Sequence, residues 1–307
     1  RDEGWCSETG HGARILASDL RATEKPASTM SLVRTPLHAA AMPKTQARSP
    51  QSDPMTCGYG ELEHRYGPRV HILDNPLLAT ALAHLSSPKV SHAELMGHLR
   101  MIYRTLCVHA CGCELPTAAA QATTRMAERH PDAGVWRGTA LDTTHEVVVC
   151  DVVRGGIVPS QICFEMLNTL LPEQNVRLDH LTMARVSNEG GRITGVDLSG
   201  SKIGGTVAGR SLLLPDPMGA TGSTTVRVLD HYREQYGEPE RVIAMPMIAT
   251  PEYLRAALDA CESLVIYTAR LDRGLSDAEV LASVPGEHWD RERGLDDSSY
   301  VVPGAGG

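Results

Sequence analysis

The middle of the chain reads Leu212-Leu213-Leu214-Pro215-Asp216-Pro217-Met218-Gly219-Ala220-Thr221-Gly222-Ser223-Thr224. An apolar strand ends here in an acidic residue, and a turn of small residues then leads into a helix. Such a turn lets backbone amides converge on an anion, and the partial positive charge of the helix N-terminus adds to the attraction. Asp216 stands at the strand end, where its carboxylate can bind sugar hydroxyls or a magnesium-bound ligand. The stretch is not a Walker loop, because the Gly-Lys-Ser/Thr ending is missing. The plain alternative is a helix N-cap turn without a ligand, since short glycine motifs recur by accident.

Strands and helices alternate along the chain on both sides of this stretch. This alternation predicts right-handed crossovers and a parallel sheet, which binds ligands at the carboxyl ends of its strands. Aromatic residues make up 4% of the chain, so the core must be aliphatic, as in a parallel sheet buried on both faces. The predicted strands are Val147–Val153, Val176–Ala184, Ser211–Leu214, Val242–Ile248 and Leu264–Tyr267, and the predicted helices are Pro159–Leu170, Ser223–Tyr236 and Pro251–Ala260.

Three other segments have their own patterns. Ser91 and Glu94 form a capping box before apolar residues at helical spacing, which predicts a helix from Ser91 to Cys107. Residues 186–210 are rich in glycine and polar side chains, and they predict a mobile arm or a hairpin. Residues 1–54 have no sustained period and predict a disordered leader or tail. We therefore expect a single folded domain over residues 55–307.

Composition excludes several classes of protein. The 307 residues include 29 basic and 37 acidic side chains, a net charge of −8, whereas nucleic-acid binders need clustered Lys and Arg. The apolar runs fall short of the roughly 18 residues that a membrane span requires. We expect neither nucleic acid nor membrane as a partner, and we expect a cytoplasmic protein. Residues 30–51 carry basic but no acidic side chains, so import into an organelle is the alternative.

Cys107, Cys111 and Cys113 lie close to His109 in the sequence and raise the question of a metal site. Their C-x3-C-x-C spacing lacks the paired C-x2-C knuckles of structural zinc sites. Eight cysteines are also too few for a disulfide scaffold in a chain of this length. We therefore expect free thiols at a helix end and no metal held by the protein.

The stretch from Asp216 to Gly222 resembles the D-P-M-L-A-T-G loop with which uracil phosphoribosyltransferases bind 5-phosphoribosyl 1-diphosphate. Other motifs of that family have counterparts in the same order along the chain, from about residue 71 to its last residue. Asn75-Pro76-Leu77 resembles H-P-L, Cys113-Glu114-Leu115-Pro116-Thr117 resembles D-L-P-T, and Arg154-Gly155-Gly156 resembles R-A-G. Arg185 with Glu189 resembles Y-R-x-E-E-T, and Ala249-Thr250-Pro251-Glu252 resembles A-A-P-E. Tyr267-Thr268-Ala269 resembles Y-T-A, and Tyr300-Val301-Val302-Pro303-Gly304-Ala305-Gly306 resembles Y-I-V-P-G-L-G.

The resemblance implies the type I phosphoribosyltransferase fold, an α/β fold whose central parallel β-sheet is flanked by helices. A hairpin arm and a small hood of N- and C-terminal segments complete it. The implied reaction transfers the 5-phosphoribosyl group of 5-phosphoribosyl 1-diphosphate to uracil, giving UMP and diphosphate in pyrimidine salvage. Mg²⁺ would enter with the donor and have few or no direct protein ligands. A homo-oligomer, dimer or tetramer, is expected, and the action of a GTP-type effector is left open.

The same resemblance assigns roles to individual residues. Asp216, Arg154 and Arg185 are the expected catalytic residues: Asp216 would hold the ribose hydroxyls, and the arginines would face the diphosphate, where a guanidinium binds two oxygens at once. Uracil is expected on Tyr300, Val301, Gly306 and Gly307. The donor is expected on the three catalytic residues and on Pro217, Met218, Gly219, Ala220, Thr221, Gly222, Ser223 and Thr224.

The chain also departs from the family pattern. Where the family continues G-D-A-G-D, this sequence reads Gly306-Gly307, without the Asp that would touch the donor. Asp151 stands where the family usually has an apolar residue or proline, and a buried Asp needs partners or a raised pKa. Residues 273–293 resemble an insertion. These departures leave two alternatives open: the same fold acting on another nucleobase, or a non-catalytic regulatory protein that binds the donor.

Overall fold

The computed structural model describes residues 60–187 and 193–306. The proposed leader, residues 1–54, lies outside this part of the chain. By their contacts the described residues fall into two compact units, one containing residues 121–136 and the other residues 60–120 and 137–306.

The larger unit is built on one sheet of eight strands. Every neighbouring pair is parallel except β5 with β6, so the predicted parallel sheet is confirmed. Its strands are β1 (Val70–Ile72), β4 (Val147–Val153), β5 (Val176–Ser187), β6 (Ile193–Lys202), β7 (Ser211–Gly219), β8 (Arg241–Ala249), β9 (Leu264–Thr268) and β10 (Arg270–Leu271). Their spatial order is β1-β9-β8-β7-β4-β5-β6, and β10 pairs with β8.

Helices cover both faces of this sheet. Alternate residues of β4 point to opposite sides. Val147 and Val149 pack with the helices formed by residues 76–85, 92–114 and 157–170, whereas Val148 and Cys150 pack with the helices formed by residues 223–236 and 251–260. The sheet is therefore buried on both faces, as its aliphatic composition predicts. The helices are α1 (Pro76–Leu85), α2 (His92–Glu114), α3 (Ile157–Leu170), α4 (Ser223–Tyr236), α5 (Pro251–Ala260) and α6 (Ala278–Ala282).

Two elements run further than their sequence patterns predict. Helix α2 starts at the predicted capping box but ends at Glu114 rather than Cys107, because Ala110 and Cys111 continue its buried face. Strand β7 continues through two prolines to Gly219. Its pairing with β4 ends at Leu213, so the residues beyond Leu213 pair only with β8. The edge of β7 that faced β4 is unpaired there, and a proline on that edge loses no hydrogen bond of the sheet.

The glycine-rich segment after β5 forms a hairpin, one of the two predicted outcomes. Strand β6 pairs antiparallel with β5 from His180–Lys202 to Ser187–Ile193. Residues 188–192 lie outside the described part of the chain.

The smaller unit contains a 3-10 turn at Arg125–Glu128, which Thr124 caps. The strands on either side of it, β2 (Thr117–Thr123) and β3 (Val135–Leu141), pair with each other as a separate two-stranded sheet. Over the whole described part of the chain, no helix combines the length and apolarity needed to cross a membrane.

The cysteines of α2 follow the prediction only in part. Cys107 and Cys111 are buried free thiols, four residues apart on the inward face of the helix. Cys113 lies on the exposed side and forms a disulfide, so the prediction of a free thiol is wrong there. In residues 60–187 and 193–306, no three His, Cys, Asp or Glu side chains are grouped as a metal site.

Candidate active site

A pocket of about 1090 Å³ opens at the carboxyl ends of the central strands in the larger unit. It is the place where a doubly wound α/β sheet binds its ligands. The ends of β4 and β7, the middle of β5, the start of α4 and the C-terminal segment all contribute to its wall. The lining residues are Val152, Val153, Arg154, Gly155, Thr182, Met183, Asp216, Pro217, Met218, Ala220, Thr221, Gly222, Ser223, Thr224, Thr225, Tyr253, Ser299, Tyr300, Val301 and Gly306.

Asp216 supplies a half-buried carboxyl group near the end of β7. Its Oδ1 accepts a hydrogen bond from the backbone N–H of Met218 at 3.0 Å. Burial raises the pKa of Asp216 to about 6, although the Met218 hydrogen bond opposes that rise. The side chain is therefore an anion at neutral pH whose remaining acceptor capacity is available to hydroxyl groups in the pocket.

The turn that follows, Ala220–Gly222, leaves helix α4 without a side-chain cap. Gly222 occupies the N-cap position with φ of 80°, and it has no side chain to accept from the first-turn amides. Nearby hydroxyls lie at the same place: Thr221 Oγ1 is 2.8 Å from Ser223 Oγ and accepts from the Ser223 N–H at 3.3 Å. The first-turn amides, the helix dipole and these hydroxyl groups can together attract an anion.

Helix α5 packs directly beneath this turn and explains its glycines. A Cβ at Gly219 would lie 2.9 Å from both Pro246 Cβ and Tyr253 Cγ, and one at Gly222 would lie 2.7 Å from Ala256 Cβ. Thr250, the N-cap of α5, donates from Oγ1 to the Ala220 carbonyl at 2.6 Å. The turn is thus held by its packing against α5 and the Thr250 hydrogen bond as well as by the bonds between Thr221 and Ser223.

A second glycine turn, Arg154-Gly155-Gly156, follows β4 at the same end of the sheet. Arg154 is exposed and lines the pocket together with Gly155. A Cβ at Gly156 would come within 2.7 Å of Val152 N, so this turn has no room for a side chain at position 156. The Arg154 turn lies beside the Asp216 turn, since a Cβ at Gly155 would lie 3.3 Å from Pro217 Cγ.

Asp151 lies immediately below the Arg154 turn and finds the partner that a buried acid requires. It is 3% exposed, and its Oδ2 lies 2.8 Å from His180 Nδ1 on the adjacent strand β5. Its Oδ1 has no hydrogen-bond partner in the described structure. The family's apolar residue is thus replaced by an acid that His180 compensates.

The C-terminal segment forms the remaining wall. Tyr300 is 49% exposed, and Tyr300 and Val301 face the pocket with Gly306. Ser299 has φ of 64° and Gly304 φ of 63°, so the segment turns tightly on both sides of Val301. Backbone N–H and C=O groups of such a loop can bind the polar edge of a planar ring without charged side chains.

The structure brings most of the predicted site residues to this pocket. Twelve of them appear in its lining, from Arg154, through the Asp216 turn, to Gly306, whereas Gly219 lies buried beneath the turn. Arg185 is on β5 with its backbone paired to Val196, but its side chain and Gly307 lie outside what the structure describes. The pocket also contains residues that no sequence motif marks: Thr182 and Met183 reach it through strand register, Thr225 and Tyr253 through helix packing, and Ser299 through the C-terminal loop.

Similarity to known proteins agrees with this architecture. The family model for uracil phosphoribosyltransferase matches residues 72–294. A uracil phosphoribosyltransferase of Paraburkholderia xenovorans is 26% identical over 224 residues, which cover 73% of this chain and 94% of that protein. One of Pyrococcus furiosus is 33% identical over 84 residues, covering 27% of this chain and 36% of the relative, so the chain matches little more than a third of its length.

Among solved structures, the AQ2163 protein of Aquifex aeolicus matches over 77% of this chain and 94% of its own. The TM-score is 0.57 and the sequence identity 20%, a likeness of fold. The two proteins therefore share their overall fold.

Proposed function

The chain is a member of the uracil phosphoribosyltransferase family and has the type I phosphoribosyltransferase fold. From this premise, we propose that it transfers the 5-phosphoribosyl group of 5-phosphoribosyl 1-diphosphate to uracil and releases UMP and diphosphate. One observation carries the proposal: an uncapped helix N-terminus, a carboxylate, an arginine turn and a polar backbone loop line one pocket.

Each part of the donor has a counterpart in this pocket. The 5'-phosphate would bind the amides and hydroxyls of residues 220–224, where the helix dipole favours a dianion. The ribose hydroxyls would donate to the Asp216 carboxylate. Arg154, together with Arg185, would face the diphosphate and pair with two of its oxygens.

The reaction needs positioning and charge stabilisation rather than a covalent nucleophile. The bond from ribose C1 to the diphosphate oxygen breaks and the bond from C1 to a uracil ring nitrogen forms. The proton of that nitrogen passes to solvent or to the departing diphosphate. Positive charge develops on the ribose and negative charge on the leaving diphosphate. Asp216 would stabilise the former, and Arg154 the latter.

Uracil would occupy the wall formed by Tyr300, Val301 and Gly306. Its carbonyl groups accept and its ring N–H donates, so backbone amides and carbonyls of this segment can read one edge of the ring. The C-terminal lining residues Ser299, Tyr300, Val301 and Gly306 include no charged side chain, which supports recognition of a neutral base by backbone groups.

Mg²⁺ is part of the proposal and would be held mainly by the donor's own oxygens. The pocket lining contains one carboxylate, Asp216, and the described residues hold no cluster of metal ligands. Such a set fits an ion that keeps several waters and binds substrate phosphates. When bound, it would neutralise part of the diphosphate charge. A homo-oligomeric state and a cytoplasmic location stay predictions.

The experiment that tests the proposal compares nucleotide formation from 5-phosphoribosyl 1-diphosphate with uracil, cytosine, orotate, adenine and hypoxanthine. We expect product with uracil at a kcat/KM well above that for the other bases. A preference for another base would replace the assigned substrate. Calorimetric binding of the donor without diphosphate release from any base would instead identify a regulatory binding protein.

A further inference from the structure

We propose that Arg270 and Asp272 form a clamp that holds the Tyr300–Gly306 segment in its base-binding shape, which makes them positioning residues for base recognition. This inference rests on the proposed function, because it assigns the nucleobase to that segment. Neither residue lines the pocket, so both would act through the backbone they bind.

The clamp engages both polar backbone groups of one residue, Gly304. The Gly304 N–H donates to Asp272 Oδ2 at 2.8 Å, and Arg270 Nη2 donates to the Gly304 carbonyl at 2.8 Å. Arg270 and Asp272 also bind each other through two bonds, Nε to Oδ1 at 2.6 Å and Nη2 to Oδ2 at 2.8 Å. A ring of charge-assisted hydrogen bonds therefore fixes the position and orientation of the Gly304 peptide groups.

The clamp is itself anchored to the sheet. Arg270 lies on β10, which pairs with β8, and the Asp272 N–H donates to the Ala249 carbonyl at 2.8 Å. Arg270 Nη1 also donates to Ser86 Oγ at 3.3 Å, at the end of α1. Because residues two apart on a strand point to the same side, the Arg-x-Asp spacing places both side chains toward Gly304. Asp272 is 2% exposed, so water cannot easily replace its partners.

Fixing the backbone of Gly304 also fixes the backbone of the neighbouring residues that line the pocket. It lies between Val301 and Gly306, which both face the pocket. Its φ is 63°, and a Cβ there would collide with the Val301 carbonyl oxygen. The turn is closed so tightly that a shift of Gly304 must move Val301, and with it the backbone groups that would read the base.

The chain contains an internal match for this device. The tripeptide Arg-Leu-Asp occurs at 177–179 as well as at 270–272. Arg177 and Asp179 form the same two-bond pair, with side chains 24% and 1% exposed, against 25% and 1% for Arg270 and Asp272. Asp179 accepts from the Gly204 N–H at 2.9 Å, and Arg177 donates to the Gly205 carbonyl at 3.0 Å. This second pair fixes a glycine turn that does not line the pocket, so it separates loss of stability from loss of base recognition.

The test measures calorimetric affinities for UMP and for ribose 5-phosphate, which differ only in the base. We expect Arg270→Leu to reduce the ratio of the two affinities about tenfold, the size of one lost charge-assisted hydrogen bond, while the affinity for ribose 5-phosphate changes less than about twofold. In turnover, KM for uracil rises correspondingly and KM for the donor does not. Arg270→Lys restores part of the ratio, and Asp272→Asn, which keeps an acceptor oxygen, loses less than Arg270→Leu.

Arg177→Leu is the matched control and should leave the UMP to ribose 5-phosphate ratio unchanged. An equal loss of the ratio in both leucine variants, or an intact ratio in folded Arg270→Leu, would overturn the clamp. If Arg270→Leu does not fold, an unchanged ratio in Arg270→Lys and Asp272→Asn overturns it equally. A wild-type protein that binds UMP no better than ribose 5-phosphate would contradict the proposed function itself, before any variant is compared.

Discussion

At Asp216 the requirements of binding and of stability conflict. A carboxylate is most stable in water, and burial raises the pKa of Asp216 to about 6 because the charged form loses hydration. The single hydrogen bond from the Met218 N–H compensates for only part of that loss. Within the described residues this anion has one hydrogen-bond donor, the Met218 N–H, and the two ribose hydroxyls would add two more.

Replacing this acid should separate activity from stability. We expect Asp216→Asn to reduce kcat/KM for the donor by about 10²–10³-fold, the usual cost of one lost electrostatic contact in a transition state. At pH 7 its free energy of unfolding should equal or exceed that of the wild type. The reason is that a carboxyl whose folded pKa is raised above its unfolded value destabilises the folded state as pH rises through that interval. Urea titration checks the second part, and a clear loss of stability would refute it.

The pH dependence of activity should report the same group. In the free enzyme, kcat/KM for the donor is expected to fall toward tenfold per pH unit below about 6, as the Asp216 carboxylate is protonated. Any residual rate of Asp216→Asn serves as the control, since it retains ionisation of the donor but not of this side chain. A wild-type profile with the same shape as that of the variant would assign the dependence to the donor.

At the scale of elements, the strand–turn–helix unit β7–α4 depends on contacts with α5. We expect Gly222→Ala to destabilise the protein by about 2–3 kcal/mol, because the residue has φ of 80° and its Cβ would meet Ala256. Gly97→Ala is a matched control: Gly97 lies in α2 with no atom near its Cβ position, and alanine there should be neutral or stabilise by up to about 1 kcal/mol. Denaturant unfolding of both variants measures the contrast, and equal effects would contradict the packing argument.

The segment before β1 is tied to α2 by one acidic side chain, Glu61, which contacts His109. Burial alone would raise the pKa of Glu61, but hydrogen bonds from His109 and His71 outweigh that effect and lower it to about 2. A carboxylate with a lowered folded pKa contributes stability above its unfolded pKa and loses it as pH falls. Because Glu61 is about one-third exposed, we expect roughly 1 kcal/mol, lost between about pH 4.5 and 2, and absent from Glu61→Gln. Urea titrations of both proteins across that range test this prediction. If Glu61 does not stabilise the fold, the free energies of unfolding of the wild type and Glu61→Gln will change with pH in parallel.

Elements and site differ in how far the sequence predicts them. The bounds of β4, α4 and α5 follow from periodicity and caps, and the Asp216 and Arg154 turns follow from their residue types. The extension of β7 through two prolines depends on where β4 stops pairing, which no local pattern records. Thr182 and Tyr253 reach the pocket through register and helix packing, and the Gly304 clamp joins residues more than thirty positions apart.

At the scale of the whole molecule, the pocket joins chain segments that are remote in sequence, from β4 to the C-terminal residues. Ligand that binds only this assembled pocket stabilises the whole unit by mass action. We therefore expect 5-phosphoribosyl 1-diphosphate with Mg²⁺, at about 100 times its Kd, to raise the free energy of unfolding by about 2.7 kcal/mol. The same addition to Asp216→Asn should give a smaller rise. Thermal unfolding at increasing donor concentration tests this, and a midpoint independent of donor would exclude binding to the folded state.

The packing beneath the Asp216 turn has a consequence for how the sequence can drift over generations. Gly219 and Gly222 are required by their contacts with Pro246, Tyr253 and Ala256, whether or not a substrate ever binds. A descendant that had lost its reaction would keep both glycines, because replacing them disrupts the fold, but it would be released from the destabilising acid. The two glycines in this loop therefore indicate only that a protein has inherited the fold. The acid beside them indicates that the protein still uses the site.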